Sequence, residues 1–209
     1  MNETGYHGTC LRHRESIESE GFNPSKTNPR SDHWLGQGVY FFDKYEQALW
    51  WANIASSRNN ECGGIIFKAI IEALDEEVLD LDDNKQLDAF ISETKRTINE
   101  IKASCLGEMP IFEQNKFRAV FFDYHKRQNN LSVIMRTFNK PYAGYTEIRT
   151  PDERAFQENL LSITGMSFRE KQICVSKKDN YYDSSLGIEY YHSLSIKEKR
   201  LVLFDKEKY

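Results

Sequence analysis

The apolar run at residues 64–72 constrains the fold of this chain more than any other segment. It reads Gly-Ile-Ile-Phe-Lys-Ala-Ile-Ile-Glu, with a single internal lysine. Branched and aromatic side chains pack well on a pleated surface, and a strand that is apolar on both sides needs cover on both faces. The segment therefore predicts a central strand, which requires neighbouring strands from elsewhere in the chain.

Other apolar or alternating runs predict those neighbours. The clearest alternation is at residues 172–176, which read Gln-Ile-Cys-Val-Ser. A period of two places alternate side chains on opposite faces of a sheet. The predicted strands lie at residues 5–11, 38–42, 131–138, 142–149, 155–157, 172–176 and 200–204.

Two helices are predicted in the first quarter of the chain. Arg14–Glu20 is compatible with a helix, and Gly21 follows it as a C-terminal stop. We expect Asp43 to cap a second helix that runs to about Ser57, because Glu46 follows three residues later, as a capping box requires. Its packed face is predicted from residues at spacings of three and four, namely Ala48, Trp51, Ala52 and Ala55.

Two longer amphipathic helices are predicted at residues 84–103 and 112–129. Together they form a helical insertion, about 84–129, between parts of the chain that are rich in strands. We therefore expect one α+β domain over residues 1–209, with a split, mixed β-sheet. The residues expected to be buried are Leu87, Phe90, Ile91, Thr94, Ile98 and Ile101 in the first helix and Phe117, Val120, Phe121 and Tyr124 in the second.

The charge and the cysteines limit the class of protein. The net charge is −4, so no global basic field attracts nucleic acid, although residues 111–180 carry a net charge of +4. The four cysteines form no CxxC pair, and free thiols suit a reducing cytosol. The first residues have no basic start and no apolar run, and no segment is apolar enough to span a membrane. We expect a cytoplasmic protein that does not bind membranes.

Several familiar sites are not indicated by the sequence. No Gly-x-Gly-x-x-Gly follows a predicted strand, and no phosphate loop ends in Gly-Lys-Ser/Thr. The five histidines are far apart in sequence and have no metal-ligand spacing, so we expect no metal site. A Ser-His-Asp catalytic triad is left as an alternative, although the chain has no nucleophile elbow.

Two short motifs near the start of the chain have a spacing that is more specific than either motif alone. Residues 6–9 read Tyr-His-Gly-Thr, and residues 36–41 read Gly-Gln-Gly-Val-Tyr-Phe. Followed by a helix that carries Ala48 and Trp51, they resemble the ADP-ribosyltransferases, in particular the His-Tyr-Glu branch that includes diphtheria-toxin-like and poly-ADP-ribose-polymerase-like enzymes. The match covers about the first quarter of the chain. Each of these residues also has a structural reading, as a core aromatic, a strand-end histidine or a turn glycine.

The resemblance implies an NAD site with a defined role for each residue. His7 would bond to a ribose hydroxyl, the backbone of Gly8 would meet the nicotinamide amide, and Thr9 would support the ribose or the adenosine half. Tyr40 and Trp51 would enclose the nicotinamide ring. Two weaker candidates for the adenosine or pyrophosphate portion are Arg14 and Ser25.

The third motif of the family is a strand that opens with a glutamate. Its best match here is Gln172, at the start of Gln-Ile-Cys-Val, so the glutamate is a neutral glutamine. Gln172 would bond to the ribose 2′-hydroxyl. Glu170, two residues earlier, would supply the missing charge or deprotonate the acceptor.

The resemblance therefore implies an NAD-dependent mono-ADP-ribosyltransferase of a bacterial toxin or phage-defence type, with a possible cognate antitoxin. The acceptor would be a macromolecule, and aromatic and basic residues mildly favour RNA or DNA over protein. The alternatives are a non-catalytic NAD or ADP-ribose binding module, a protein-targeting effector, and a partner protein that keeps only the fold.

Overall fold

The structure is a computed structural model, and it describes most of the first two thirds of the chain and parts of the remainder. The described residues are 1–27, 33–59, 63–104, 114–140, 155–156, 159, 163–165, 168–177, 181–182, 189–192 and 202–204.

The secondary structure is mixed. The strands are β1 (Asn2–Cys10), β2 (Val39–Phe42), β3 (Gly63–Glu72), β4 (Val78–Asp80), β5 (Val133–Lys140), β6 (Phe168–Val175), β7 (Tyr181–Tyr182), β8 (Glu189–His192) and β9 (Val202–Phe204). The α-helices are α1 (Arg14–Glu20), α2 (Tyr45–Arg58), α3 (Asn84–Ser104) and α4 (Gln114–Gln128), and short 3-10 turns occupy Leu11–His13, Pro24–Lys26 and Asp75–Glu77.

The strands form one mixed sheet in the order β4-β5-β6-β2-β1-β3-β8-β9, with β7 also paired to β3. The apolar strand β3 lies between β1 and β8, which confirms its central position. β4 and β5 are parallel neighbours, and the other described pairs are antiparallel. The expected α+β class with a mixed sheet is confirmed.

The helical segment predicted as an insertion connects the two parallel strands. α3 and α4 follow β4 in the chain and precede β5, its parallel neighbour. Parallel neighbours need such a crossover, because the end of the first strand and the start of the second lie at opposite edges of the sheet. The two helices pack through Phe90 and Phe122, whose rings stack 5.0 Å apart, against the cluster that contains Leu79 and Ile134.

The sheet has an apolar cluster on each face. One face carries the largest cluster, in which Phe22 packs against Phe41 and Phe67. The other face is covered by α2, α3 and α4. Because successive side chains of a strand point to opposite faces, Phe41 belongs to the first face and its neighbours Tyr40 and Phe42 to the second.

Glycines let α2 lie very close to the sheet. A Cβ added at Gly8 would lie 1.8 Å from the carbonyl oxygen of Ala48, and one at Gly64 would lie 2.9 Å from Ala52. Ala48 and Ala52 are fully buried. The helix therefore crosses β1 and β3 at a distance that only glycine on the strands permits.

Several predicted boundaries were wrong. α2 begins after Lys44 rather than Asp43, and no side chain caps it, so the predicted capping box is not formed. Ala155 and Phe156 are helical instead of forming a strand. The acidic link after β3 contains the unpredicted strand β4. The predicted strand at residues 142–149 lies outside the described residues.

The buried face of α4 also differs from the predicted one. Val120 and Tyr124 are exposed, and the buried residues are Phe122, His125 and Lys126. In α3, Leu87 and Phe90 pack as expected, but Ile91 is exposed. The α4 error has a physical cause, because the buried polar groups find partners that the apolar pattern does not show: His125 lies 3.1 Å from Glu93 on α3.

Within the described residues, no helix is both long enough and apolar enough to cross a membrane.

Candidate functional site

The three sequence motifs lie on adjacent strands. β2 is in the middle, with β1 on one side and β6 on the other. Phe42 of β2 is paired with Tyr6 of β1 and with Gln172 of β6. Segments that are more than a hundred residues apart in the chain therefore meet in one part of the sheet.

The sheet opens between β1 and β2 directly beyond this row. Tyr6 and Phe42 form the single bridge between the two strands, whereas β1 stays paired with β3 as far as Cys10. At the point where the ladder stops, the His7 imidazole donates a hydrogen bond of 2.8 Å from Nδ1 to the backbone oxygen of Tyr40. We call this opening, bordered by residues 7–10 of β1 and by residues 38–40 at the start of β2, the slot.

His7 is held as a neutral ring in a defined tautomer. A carbonyl only accepts hydrogen bonds, so Nδ1 carries the proton and Nε2 is left as an acceptor. The ring packs edge-on against Phe22 at 5.1 Å and lies 5.8 Å from Phe41. Burial lowers the pKa of His7 to about 4, against the opposing effect of the Tyr40 bond, and nearby His13 lowers it further.

Tyr40 is fixed through its hydroxyl group. The hydroxyl donates to the backbone oxygen of Gly36 at 2.7 Å and accepts from the backbone N–H of Leu35 at 2.8 Å. Its ring stacks on His33, with centroids 5.1 Å apart. Burial raises the pKa of Tyr40 well above its usual value, and the neighbouring Cys174 adds to the shift, so the phenol stays protonated.

The glycine loop before β2 is anchored by two α4 residues that the sequence did not reveal. Lys126 is buried and donates to the backbone oxygen of Gln37 at 2.7 Å, and Asp123 accepts from the backbone N–H of Gln37 at 2.7 Å. Gly36 has a φ of +85°, and an added Cβ would lie 2.4 Å from Asp123. The sequence shows that Asp123 and Lys126 are three residues apart on one helix, but it does not show which loop they bind.

Glu170 and Gln172 form a buried pair on β6. Both lie on the same face of the strand, with exposed fractions of 1% and 3%. Gln172 Nε2 donates to Glu170 Oε1 at 2.7 Å. Gln172 Oε1 is buried without a hydrogen-bond partner. The carboxyl group of Glu170 therefore binds the nitrogen end of the Gln172 amide and leaves the oxygen end as an unpaired acceptor.

The two rings predicted to enclose nicotinamide, Tyr40 and Trp51, each stack on another aromatic ring of the protein. Trp51 stacks on Phe42, with centroids 6.2 Å apart, whereas Tyr40 stacks on His33. His7, which contacts Phe41, also leaves the sheet on the face opposite Tyr40 and Gln172. The His7 imidazole nevertheless contacts the Tyr40 backbone, because its hydrogen bond crosses the slot.

The remaining predicted residues are distributed around this region. Gly8 and Thr9 lie on β1 beside the slot. Arg14 is paired with Glu18 on α1 at 3.0 Å. Ser25 lines a cleft of about 540 Å³ between α4 and the end of β6, whose other lining residues include Lys126.

Gln47 of α2 is a buried polar residue that was not predicted from the sequence. Gln47 is fully buried beside Ala48, and its Nε2 donates to the backbone oxygen of Arg169 at 3.2 Å. Its Oε1 has no hydrogen-bond partner. A glutamine on the packed face of an alanine-rich helix was a possible signal.

Among the residues that the structure describes, no group of three or more His, Cys, Asp or Glu side chains could hold a metal ion. Cys10 and Cys174 are buried, and neither forms a disulfide within the part of the chain that the structure describes. Burial raises the pKa of Cys174, although Lys126 opposes the shift.

Comparison with known proteins gives a distant relative. No protein-family model matches the chain. The chain is similar to an uncharacterized protein of Methanocaldococcus jannaschii, with 25% identity over 201 residues, which cover 89% of this chain and 90% of that protein. The two proteins are thus similar along nearly their whole lengths.

Proposed function

We propose that this protein is an NAD-dependent mono-ADP-ribosyltransferase. The observation that carries the proposal is the convergence of the three motif strands around an opening in the sheet. β1, β2 and β6 are neighbours, and the β1–β2 ladder stops where His7 and Tyr40 meet. The motifs were related only by spacing in the sequence, and their proximity here supports a common role.

The slot suits the amide of a nicotinamide ring. Antiparallel strands direct the N–H and C=O groups of alternate residues toward opposite neighbours. Beyond Tyr6, the groups of β1 that are directed toward β2 therefore have no ladder partner there. Gly8 lies in this stretch, and α2 already fills the space where a side chain would stand. The resemblance implies that the backbone of Gly8 binds the nicotinamide amide.

The chemistry requires stabilisation of positive charge. The bond between the ribose C1′ and the nicotinamide nitrogen breaks, the electron pair stays with nicotinamide, and nicotinamide leaves as a neutral ring. An acceptor nucleophile then bonds to C1′, and its proton passes to solvent. Charge develops on the ribose as in glycoside hydrolysis.

The residues at the site match these needs in part. Neutral His7 can accept a hydrogen bond from a ribose hydroxyl through Nε2. Gln172 carries no charge, but its amide nitrogen is bonded to Glu170, and its buried oxygen has no hydrogen-bond partner among the described residues. A carboxyl group bonded to the N–H of an amide increases the negative character of the amide oxygen. In this proposal Glu170 acts through Gln172 rather than as an exposed base.

We favour a nucleic-acid acceptor over a protein acceptor, because residues 111–180 have a net charge of +4. A role as a toxin or phage-defence effector, with a cognate antitoxin, accords with this reading.

The direct test uses purified protein, NAD labelled in the adenosine half, and a cell lysate. We expect nicotinamide release together with label in the RNA or DNA fraction, and loss of both with His7→Ala. His13→Ala, on an exposed histidine, is the matched control and should keep both activities. The proposal is abandoned if the wild-type protein neither binds NAD nor releases nicotinamide with any fraction of the lysate.

A second candidate function is binding of NAD or ADP-ribose without turnover. It is favoured by the neutral Gln172 at the position where the family has a glutamate. It predicts a higher melting temperature in the presence of NAD, because a ligand that binds only the native state stabilises it. Nicotinamide release by the wild-type protein would exclude this alternative.

A further inference from the structure

We propose that Gln47 is a second ribose-binding residue, which recognises a sugar diol jointly with Gln172. This inference rests on the proposed function and adds a residue to it. Gln47 belongs to none of the three motifs, and it comes from helix α2 rather than from the sheet.

The starting observation is the composition of the packed face of α2. Ala48 and Ala52 are fully buried there, at a very short distance from the glycines of the sheet. Gln47 is equally buried, although an apolar side chain of the same size would avoid the desolvation of an amide. A polar group at such a position needs partners on both ends of its amide.

Among the described residues, only the nitrogen end of that amide has a hydrogen-bond partner. Nε2 of Gln47 donates to the Arg169 oxygen at 3.2 Å, and Oε1 has no partner. The orientation follows from the contact, because a flipped amide would place its oxygen against a carbonyl oxygen. Gln47 therefore presents a fixed hydrogen-bond acceptor.

Gln172 repeats the same arrangement on the neighbouring strand. Its nitrogen end is bonded to Glu170, and its oxygen is also buried without a partner. Arg169 directly precedes Glu170 on β6, so both amides are attached to the same short segment of the strand. Both also lie on the face of the sheet that α2 covers.

Two neutral acceptors beside a carboxyl group select the chemical class of the ligand. Such a site repels the oxygens of a phosphate group, whereas it complements a group that donates hydrogen bonds. A ribose offers two adjacent hydroxyl donors. We therefore assign the hydroxyls of the nicotinamide ribose, rather than the pyrophosphate of NAD, to the Gln47 and Gln172 oxygens.

The test compares NAD with its 2′-deoxy and 3′-deoxy analogues, which each lack one hydroxyl on the nicotinamide ribose. Binding constants are measured by calorimetry for the wild-type protein, Gln47→Met and Gln47→Leu, and Ser56→Ala is the control for a buried polar residue elsewhere on α2. We expect the wild type to lose about tenfold in affinity for at least one analogue. The Gln47 variants should bind NAD about tenfold more weakly and lose this discrimination, while Ser56→Ala retains it.

The outcomes separate this inference from the proposed function. Equal affinity of the wild type for NAD and both analogues overturns the role of Gln47, and so do Gln47 variants that keep the wild-type discrimination. In both cases NAD binding itself leaves the proposed function standing. If the wild type does not bind NAD, the proposed function fails and this inference fails with it. If neither variant folds, the comparison of analogues on the wild type still tests the inference, because equal affinity for NAD and both analogues overturns it.

Discussion

Gln172 donates a hydrogen bond of 2.7 Å to Glu170, and both side chains are buried on one face of β6. The chain thus places a carboxyl group two residues before the position where the resemblance expects a glutamate. Gln172 meets the ligand in our proposal, and Glu170 determines which end of its amide does so.

Gln172→Glu should make the stability of the protein strongly dependent on pH. The variant places two buried carboxyl groups within hydrogen-bond distance, and repulsion raises the folded-state pKa of one of them above its unfolded value of about 4.3. Stability is then retained below this unfolded pKa and decreases as the pH rises through the folded pKa. Urea unfolding at pH 4.5 and pH 8 measures the difference.

The matched control for that experiment is Gln128→Glu, on an exposed residue of α4. It should change the free energy of unfolding by no more than about 0.5 kcal/mol at either pH. If Gln172→Glu behaves in the same way as the control, the two side chains do not share a buried site.

His7 should make the wild-type protein less stable in acid. Burial lowers its folded-state pKa to about 4, below the ordinary value of 6.5 that the histidine has in the unfolded chain. As the pH falls from 6.5 toward 4, the unfolded chain takes up a proton that the native state does not, so stability decreases by roughly 2–3 kcal/mol. Above pH 6.5 the contribution is fully present.

This prediction is checked by urea unfolding between pH 4 and 8 and by NMR titration of the imidazole. His7→Gln should lose this part of the pH dependence, while His13→Gln, on an exposed residue, should keep it. An imidazole of His7 that titrates near pH 6.5 would contradict the enclosed position.

Gly8→Ala should prevent the close packing of α2. Its Cβ would lie 1.8 Å from the Ala48 oxygen, and backbone on both sides leaves no flexible atom to move. We expect a loss of more than about 3 kcal/mol in unfolding free energy, or no folded protein.

Gly165→Ala provides the comparison, since its φ is +66° and an added Cβ there meets nothing within 4 Å. It should cost only about 1 kcal/mol, from backbone strain. Circular dichroism and thermal unfolding of the two variants test the packing; equal stability would show that α2 is farther from β1.

Lys126→Met should destabilise the loop that positions Tyr40. The substitution removes the donor to the Gln37 oxygen and leaves Asp123 without its buried cation. We expect a loss of about 2–4 kcal/mol in unfolding free energy. The NMR signals of residues 36–38 should report the displaced loop.

The exposed residue Lys95 supplies the control, since Lys95→Met should be nearly neutral. A double variant of Lys126→Met and Asp123→Asn should lose less than the sum of the single variants, because the two side chains interact. Strict additivity would argue against the pair.

The local sequence pattern predicted a strand or helix correctly wherever that pattern agreed with the packing. The apolar run at 64–72 identified β3 because a strand covered on both faces must be apolar on both sides. Helix α1 has the predicted bounds, Arg14–Glu20, and Gly21 follows with a φ of 72°. The spacing of the two early motifs likewise pointed to one site before any contact was known.

Contacts between distant segments determined the rest. Val78–Asp80 is too short and too acidic to be recognised as a strand, and it becomes one because β5 pairs with it. The buried face of α4 includes Lys126 because a loop carbonyl some ninety residues earlier accepts its hydrogen bond. No apolar period contains that information, since the partner is not on the helix.

The sequence alone therefore determined the residue types of the candidate site and the strands that carry them. Only the tertiary structure decided how they meet: that β2 lies between β1 and β6, that the sheet opens at His7, and that Gln47 of α2 reaches Arg169 on β6. Strand order, the end of a ladder and the contacts of a buried amide depend on groups far apart in the chain, and local propensity does not specify them.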